Sequence, residues 1–329
     1  WRYGECMSRK EENGFSTNLR LTTIVYRKGE WSPELLQEDV RKRYMYCEIP
    51  QKQFISHGQA ELSGKKNIQA VISEYADQLE DTMTQNNIDL RMVLYIAATD
   101  ASLCAAQAAG LAVLGYANSL SGARMVVEGF EEVDALFLER VYEREHHLPW
   151  EIARTDRWIL REFTMDDMDG LVELYDQPGV AYRIVNGYQV PGYIEPLLPR
   201  EEEEEYQRCY IENMYGFHGY GMWIVTEIRS PRIIGRAGLE NREYEDGVEL
   251  EMGYVIDPRW QRRGIAYEVC SAIMEYARES TDFPRLNALT EADNVASIAL
   301  LEKLGFTYLE DTDVSGSRTR RYVYDFDRT

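Results

Sequence analysis

Residues 249–266 read Glu-Leu-Glu-Met-Gly-Tyr-Val-Ile-Asp-Pro-Arg-Trp-Gln-Arg-Arg-Gly-Ile-Ala, and this stretch decides the fold of the second half of the chain. Val248, Leu250, Met252, Tyr254 and Ile256 alternate with Glu249, Glu251, Gly253 and Val255. That period of two marks a strand and puts both carboxylates on one face. Asp257 and Pro258 end it. The run from Gln261 to Ala266 then opens a helix, with apolar residues at Ala266, Val269, Ile273 and Tyr276. The first amides of such a helix have no partner within it and face the positive end of its dipole, so an anion such as a diphosphate fits there.

Composition narrows the rest. The 329 residues suffice for two domains of ordinary size, and 44% hydrophobic content makes them globular. With 57 acidic against 36 basic residues the net charge is −21, which argues against nucleic acid or an anionic membrane as partner and suits a cationic small molecule. Cys6, Cys47, Cys104, Cys209 and Cys270 lie far apart, with no Cys-x-x-Cys pair and no zinc spacing, so no metal site is expected and a reducing cytoplasm is. The stretch 101–117 is too short and too Ala-rich to span a bilayer. No signal-peptide pattern is visible, and because the first residue is Trp1 rather than Met, the natural start is expected further upstream.

The N-terminal half alternates strands and helices. A strand is expected at 21–26, a helix at 33–46 capped by Ser32, a helix at 67–84, a buried strand at 92–97, a small-residue helix after Asp100 stopped by Gly110, and a strand at 111–116. A short strand at 124–127 and a helix at 131–144 follow, the pattern of a parallel-sheet α/β domain. The sequence strand, Thr99-Asp100, Ala-Ala-Gln-Ala-Ala-Gly, strand, Gly-Tyr-Ala-Asn resembles the C-terminal half of haloacid dehalogenase-like (HAD-like) phosphatase cores. The resemblance implies a Rossmann-like unit in which the acidic residue after the strand helps hold Mg²⁺. The family's Asp-x-Asp-Gly nucleophile is missing from residues 1–66, which implies a degenerate, non-catalytic unit. Asp167-Met-Asp-Gly170 has those residue types, but Thr164 and Asp167 read as a capping box at a helix start, with no apolar strand before it.

The second domain begins near Arg157 with a strand at 158–163 and that helix. Segment 178–199 is rich in Gly, Pro and Tyr and reads as either a binding loop or a linker. The run 201–205 is read as the solvated first turns of a helix, with attraction of a cationic substrate as the alternative. Two antiparallel strands, 222–228 and 233–239, turn at Arg229-Ser-Pro-Arg232.

The strand, Gln261-Arg262-Arg263-Gly264-Ile265-Ala266, the helix, Asn294-Val-Ala-Ser297 and Glu302-Lys-Leu-Gly305-Phe306 together resemble the GNAT superfamily of acyl-CoA-dependent N-acyltransferases, over residues 157–326. Glu251-Met-Gly-Tyr254, Asn294-x-x-Ser297 and Glu302 to Phe306 are most similar to its RimJ/RimL type. The resemblance implies a GNAT fold with a mixed, largely antiparallel sheet. Acetyl-CoA is implied as acyl donor, its pantetheine beside Tyr254, Val255 and Ile256, and its diphosphate on Gln261, Arg262, Arg263, Gly264, Ile265 and Ala266. One of the two arginines is left free to point to solvent, and an ordinary capped helix start is the alternative for the turn. Asn294 either caps its helix, also contacts the cofactor as in the family, or does both.

Acyl transfer to an amine needs a base for the amine proton and an acid for the departing thiolate. Glu251 is the first choice for base and Glu249 shares its face; the alternative is a polar strand face without catalytic role. The tyrosine many GNAT enzymes use to protonate the thiolate is replaced by Leu301, and the resemblance to the RimJ/RimL type implies Ser297 instead. The expectation is a HAD-like domain over 1–150, poorly assigned over 1–66, fused to an N-acetyltransferase over 151–329. It would acetylate a primary amine of a small cationic molecule or peptide N-terminus, with oligomeric state open, a homodimer included. The competing expectation is an acyl-CoA-binding regulatory module without transfer.

Overall fold

Strands that are apolar on both faces form the N-terminal sheet of this computed structural model, which describes residues 20–28, 30–49, 65–116, 122–186, 188–244, 247–314 and 317–326. The chain divides into two compact units, Trp1–Leu148 and Pro149–Thr329. In the first, β1 (Thr23–Arg27), α1 (Glu38–Arg43), β2 (Met45–Ile49), α2 (Lys65–Gln85), β3 (Val93–Ala97), α3 (Asp100–Ala108), β4 (Ala112–Tyr116), β5 (Val126–Val127) and α4 (Ala135–Glu145) follow in order. The described strands pair in parallel in the order β2-β1-β3-β4-β5. Alternation along β3 sends Val93, Tyr95 and Ala97 into a core with Tyr75, Leu79 and Met83 of α2, and Leu94 and Ile96 into one with Leu138 and Val141 of α4. The result is a sheet covered on both faces, as expected for a parallel α/β unit.

One expectation is corrected here. Residues 33–46 are not one helix: a 3-10 turn at Pro33–Leu35 precedes α1, Ser32 makes no side-chain cap bond, and Met45 begins an edge strand. Leu36 is extended (φ −77°, ψ 154°), and the ladder between β2 and β1 outweighs the local helical pattern. The Ala117-Asn118 end of the Gly-Tyr-Ala-Asn segment lies outside the described residues.

Strand order reverses between β1 and β3, so the crevice at their carboxyl ends is where an open parallel sheet takes its ligand. That crevice is filled from within. The Glu30 carboxylate accepts from Thr99 Oγ1 (3.0 Å), Ser102 Oγ (2.8 Å) and the Ala98 N–H (3.2 Å). Thr99 and Ser102 also close a capping box on α3. Beside them the Trp31 ring contacts Tyr26 and Phe130, each 5.1 Å between centroids. Asp100 is exposed.

The second unit contains β6 (Glu151–Arg154), β7 (Trp158–Arg161), α5 (Met168–Tyr175), β8 (Tyr182–Val185), β9 (Tyr188–Pro191), α6 (Arg200–Tyr210), α7 (Gly216–His218), β10 (Met222–Glu227), β11 (Ile233–Tyr244), β12 (Gly247–Ile256), α8 (Ile265–Ser280), β13 (Arg285–Glu291), α9 (Val295–Lys303), β14 (Thr307–Val314) and β15 (Ser317–Asp325). Its large sheet runs β14-β15-β13-β12-β11-β10-β7-β6. Every neighbouring pair is antiparallel except β12 with β13, the mixed, largely antiparallel sheet expected. Asp167 is held by the two terminal guanidinium nitrogens of Arg161 at 2.8 Å and by the Thr164 capping box, so Asp-Met-Asp-Gly is a helix start. Segment 178–199 contains the hairpin of β8 and β9, tied by Arg183 to Asp293 (3.1 Å). Within the 201–205 run Glu203 is buried, accepting from Gln207 Nε2 (2.6 Å) and the Leu198 N–H (3.0 Å), so that carboxylate is structural rather than solvated.

Candidate active site

The site is built around one strand that loses a neighbour halfway along. β12 pairs with β11 from Gly247 to Ile256, but with β13 only at Leu250 opposite Leu286 and Glu251 opposite Asn287. Beyond Glu251 the two parallel strands separate. The backbone of Met252 to Ile256 therefore faces a gap on that side, where an extended amide-bearing chain can pair as an added strand would. Val255 and Ile256 keep their side chains in the core, so what they offer a ligand is backbone.

The turn after β12 is shaped by two left-handed residues, Arg262 (φ 58°) and Gly264 (φ 80°). A Cβ on Gly264 would meet no protein atom within 4 Å. Glycine is thus required by backbone conformation, and the space beside it is open to a ligand. Gly264 is the N-cap of α8 and no side chain caps that helix, which leaves the amides of Ile265 and Ala266 facing the opening. Gln261 donates its side-chain N–H to the Ile256 carbonyl (2.9 Å), so its side chain fixes the turn. The arginines separate as well. Arg263 folds back over Trp260 (4.7 Å) and onto the Arg259 carbonyl (2.9 Å). Arg262 is exposed and makes no bond among the described residues.

Nothing in the local sequence pointed to the brace behind this turn. Arg157 donates to the Arg263 carbonyl (3.0 Å) and pairs with Glu268, which also accepts from Trp158 Nε1 (2.9 Å). These partners lie more than a hundred residues apart, out of reach of any spacing rule.

Successive side chains on a strand alternate sides, so Glu251 and Tyr254 lie on opposite faces of β12, at either side of the point where β13 departs. The Tyr254 hydroxyl is 2.7 Å from Ser297 Oγ on α9, and burial pushes its pKa up. Asn294 accepts from the Ser297 N–H (3.2 Å), so it caps α9. Leu301 is fully buried in the core. On the other face the carboxylate of Glu251 pairs with Arg242 and accepts from Tyr244 Oη (3.3 Å). Burial raises its pKa above the ordinary carboxylate value, while Arg242 and Tyr244 draw it back. Glu249 is tied down: one oxygen accepts from Asn287 Nδ2 (2.7 Å) and Arg321 Nη2 (2.9 Å). Asn287 Oδ1 in turn accepts from Arg321 Nε (2.8 Å), and Arg321 stacks on Tyr244 at 3.6 Å.

Sequence reading ended β11 at Leu239 and so missed Glu240, Arg242 and Tyr244. A signal was present. These three alternate with exposed Asn241 and Glu243, and they are the half-buried positions, a polar continuation of the strand period.

An open β12 edge runs into an uncapped helix start, with a carboxylate on one face and a hydroxyl pair on the other, an arrangement with room for an extended chain that carries an anionic group. Residues 157–307 match the Acetyltransferase (GNAT) domain family. The chain carries a GNAT acetyltransferase domain. The uncharacterized protein YkkB of Bacillus subtilis is 28% identical over 154 residues, spanning 47% of this chain and 84% of YkkB. The uncharacterized N-acetyltransferase YoaA of the same organism is 27% identical over 157 residues, 47% of this chain and 82% of YoaA. A solved acetyltransferase from Agrobacterium tumefaciens is similar over 53% of this chain and 94% of its own, at 21% identity and a TM-score of 0.41. The protein is an acyl-CoA-dependent N-acyltransferase, and its GNAT family uses acetyl-CoA. Among the described residues no group of three or more His, Cys, Asp or Glu is placed to hold a metal ion, and no helix is long and apolar enough to cross a membrane. Cys47, Cys104, Cys209 and Cys270 are free thiols.

Proposed function

We propose that the GNAT domain transfers the acetyl group of acetyl-CoA directly to a primary amine of a small cationic molecule or peptide N-terminus, in the manner of the RimJ/RimL type. The observation that carries this reading is the parting of β12 from β13 after Glu251, with opposite chemistry on the two faces of β12. Pantetheine amides pair with the open edge at Tyr254, Val255 and Ile256. The diphosphate rests on the turn of Gln261, Arg262, Arg263 and Gly264 and on the first amides of α8, at Ile265 and Ala266. Asn294, already the cap of α9, holds the helix that borders the gap.

Chemistry follows from the two faces. The amine nitrogen forms a bond to the thioester carbon, the carbon–sulfur bond breaks, and Glu251 takes the proton the nitrogen loses. Its raised pKa suits a base. The thiolate takes a proton from the hydroxyl pair of Ser297 and Tyr254, which are close enough to relay one between them. Glu249, fixed by Arg321 and Asn287, is assigned to positioning rather than to proton transfer. The domain boundary is placed near residue 150. The N-terminal unit is read as a degenerate HAD-like domain without catalysis, its crevice occupied by Glu30.

Glu251→Gln tests the assignment. Thiol release with an accepted amine should fall about 100-fold or more, while acetyl-CoA affinity measured by calorimetry stays within a few-fold of wild type. Unchanged turnover would remove Glu251 as the base.

A further inference from the structure

The carboxylates on the Glu251 face are not equally satisfied. In the ladder Glu240 stands directly opposite Glu251, and Arg242 opposite Glu249, so all four side chains share one face. Both guanidiniums that reach this cluster are engaged. Arg242 is paired with Glu251, and Arg321 with Glu249 and Glu310 (3.0 Å). Glu240 makes no ion pair among the described residues; its bonded neighbour is the Tyr210 hydroxyl at 3.4 Å. It also lines a cavity of about 470 Å³ with Tyr206, Tyr210, Met214, His218 and Asn241, a size typical of small-molecule sites.

The cavity has a structural origin. After α6 the chain makes one π turn, Ile211–Tyr215, before α7. Such a turn re-aims the side chains that follow it and is frequent at functional sites. Tyr210 is held by donating to Glu240 and accepting from the Met222 N–H (2.7 Å), and Tyr220 donates to Asn241 (2.8 Å). The walls are thus a pair of tyrosines, a histidine, a thioether and the Cys209 thiol, with the Glu240 carboxylate beside the base.

We propose that this cavity is the acceptor subsite, that Glu240 binds the ammonium group of the incoming amine next to Glu251, and that the acceptor is a primary amine carrying an apolar or aromatic body. The assignment rests on the transferase reading above and makes it more specific. The Glu240 carboxylate, which no guanidinium pairs among the described residues, meets the positive charge of the amine. Aromatic faces and a methionine favour a hydrocarbon or ring adjoining the cation. Glu240 accepts hydrogen bonds from the ammonium and does not take its protons: Glu251 takes the first, which frees the lone pair, and passes it to solvent, then takes the second as the nitrogen–carbon bond forms and the carbon–sulfur bond breaks. Polyamines, which lack a bulky apolar or aromatic body, are disfavoured by this arrangement.

The test uses the full chain. Binding of 2-phenylethylamine, leucine amide and spermidine is measured by calorimetry with CoA present, and thiol release from acetyl-CoA is followed with the same amines. Expected are tighter binding and higher kcat/KM for phenylethylamine or leucine amide than for spermidine; which of the two monocations is better separates a free amine from a peptide N-terminus. Glu240→Gln should raise KM and Kd for the preferred amine roughly 10- to 100-fold, with kcat lowered far less, and Glu240→Asp should recover much of the affinity. If spermidine is preferred, if no monocationic amine binds, or if Glu240→Gln binds as well as wild type, the cavity assignment is overturned. If the amine binds and depends on Glu240 yet no amine accelerates thiol release, the transferase reading fails while the cavity stands.

Discussion

Two helix starts in this molecule, α3 in the N-terminal unit and α8 in the GNAT domain, solve the same electrostatic problem in opposite ways. Each follows the carboxyl end of a strand and presents backbone amides at the positive end of a helix dipole. At α3 the donors are met from within: Thr99 and Ser102 form a capping box, and Glu30 brings a carboxylate to the Ala98 amide and both hydroxyls. At α8 no side chain caps the helix, Gly264 adopts φ 80° beside open space, and Arg262 stands unpaired. On the function proposed above, the incomplete end of α8 is the one that receives an anion. The end of α3 carries its own carboxylate, and the donors there are already engaged.

The largest effect comes from making α8 resemble α3. Aspartate tolerates a left-handed conformation better than most residues, and as an N-cap its carboxylate accepts from the same amides a diphosphate would use. Gly264→Asp should therefore weaken acetyl-CoA binding about 100-fold, the equivalent of losing one or two charge-assisted hydrogen bonds. The thermal midpoint should fall slightly, because a side chain at φ 80° is strained. Calorimetry beside a melting curve reads both, and an affinity within threefold of wild type would mean that the diphosphate does not use this turn.

Opening α3 is the converse experiment. Glu30→Ala leaves the Ala98 N–H without its acceptor and removes one partner from the Thr99 and Ser102 hydroxyls, a loss of about 1–3 kcal/mol from the N-terminal unit. Hydrogen exchange at β3 and α3 in the full chain should show faster opening there, with acetyl-CoA affinity unaltered. If exchange is unchanged, Glu30 contributes nothing to the fold and the contrast between the two helix starts loses half its basis.

How much of this could be read in advance depended on how far apart the partners are in sequence. The strand end and helix start on either side of 261–264 were legible because their signals are local: a strand period, a glycine and a helix period lie side by side. Asp167 was legible for the same reason, its cap residue being three positions away. Glu30 was not, since its meaning comes from β1 and β3 lying adjacent, and Ala98 is 68 residues on. The helix expected at 33–46 failed because pairing of Met45–Ile49 with β1 is a non-local gain that outweighs local propensity. On β12 the sequence put Glu249 and Glu251 on one face but could not rank them. Only the arrival of Arg321 and Asn287, from later strands, shows that one oxygen of Glu249 is tied to them, while Glu251 is held by Arg242 and Tyr244 of the adjacent strand.

Glu251 lies between the two extremes, a functional group held partly in check by its own neighbour. Arg242 favours the charged carboxylate and so lowers a pKa that burial raises. Removing that cation with Arg242→Gln must raise the pKa further, because the ionised form loses its partner while the buried surroundings remain. A base works when ionised, so the acid limb of the kcat/KM profile should move to higher pH in the variant, and the plateau on the alkaline side should change least. A limb that moves to lower pH, or does not move, would show that Arg242 does not govern the ionisation that limits the reaction. In that event the proton would leave by a route other than Glu251, and the unpaired Glu240 opposite it would become the next carboxylate to test.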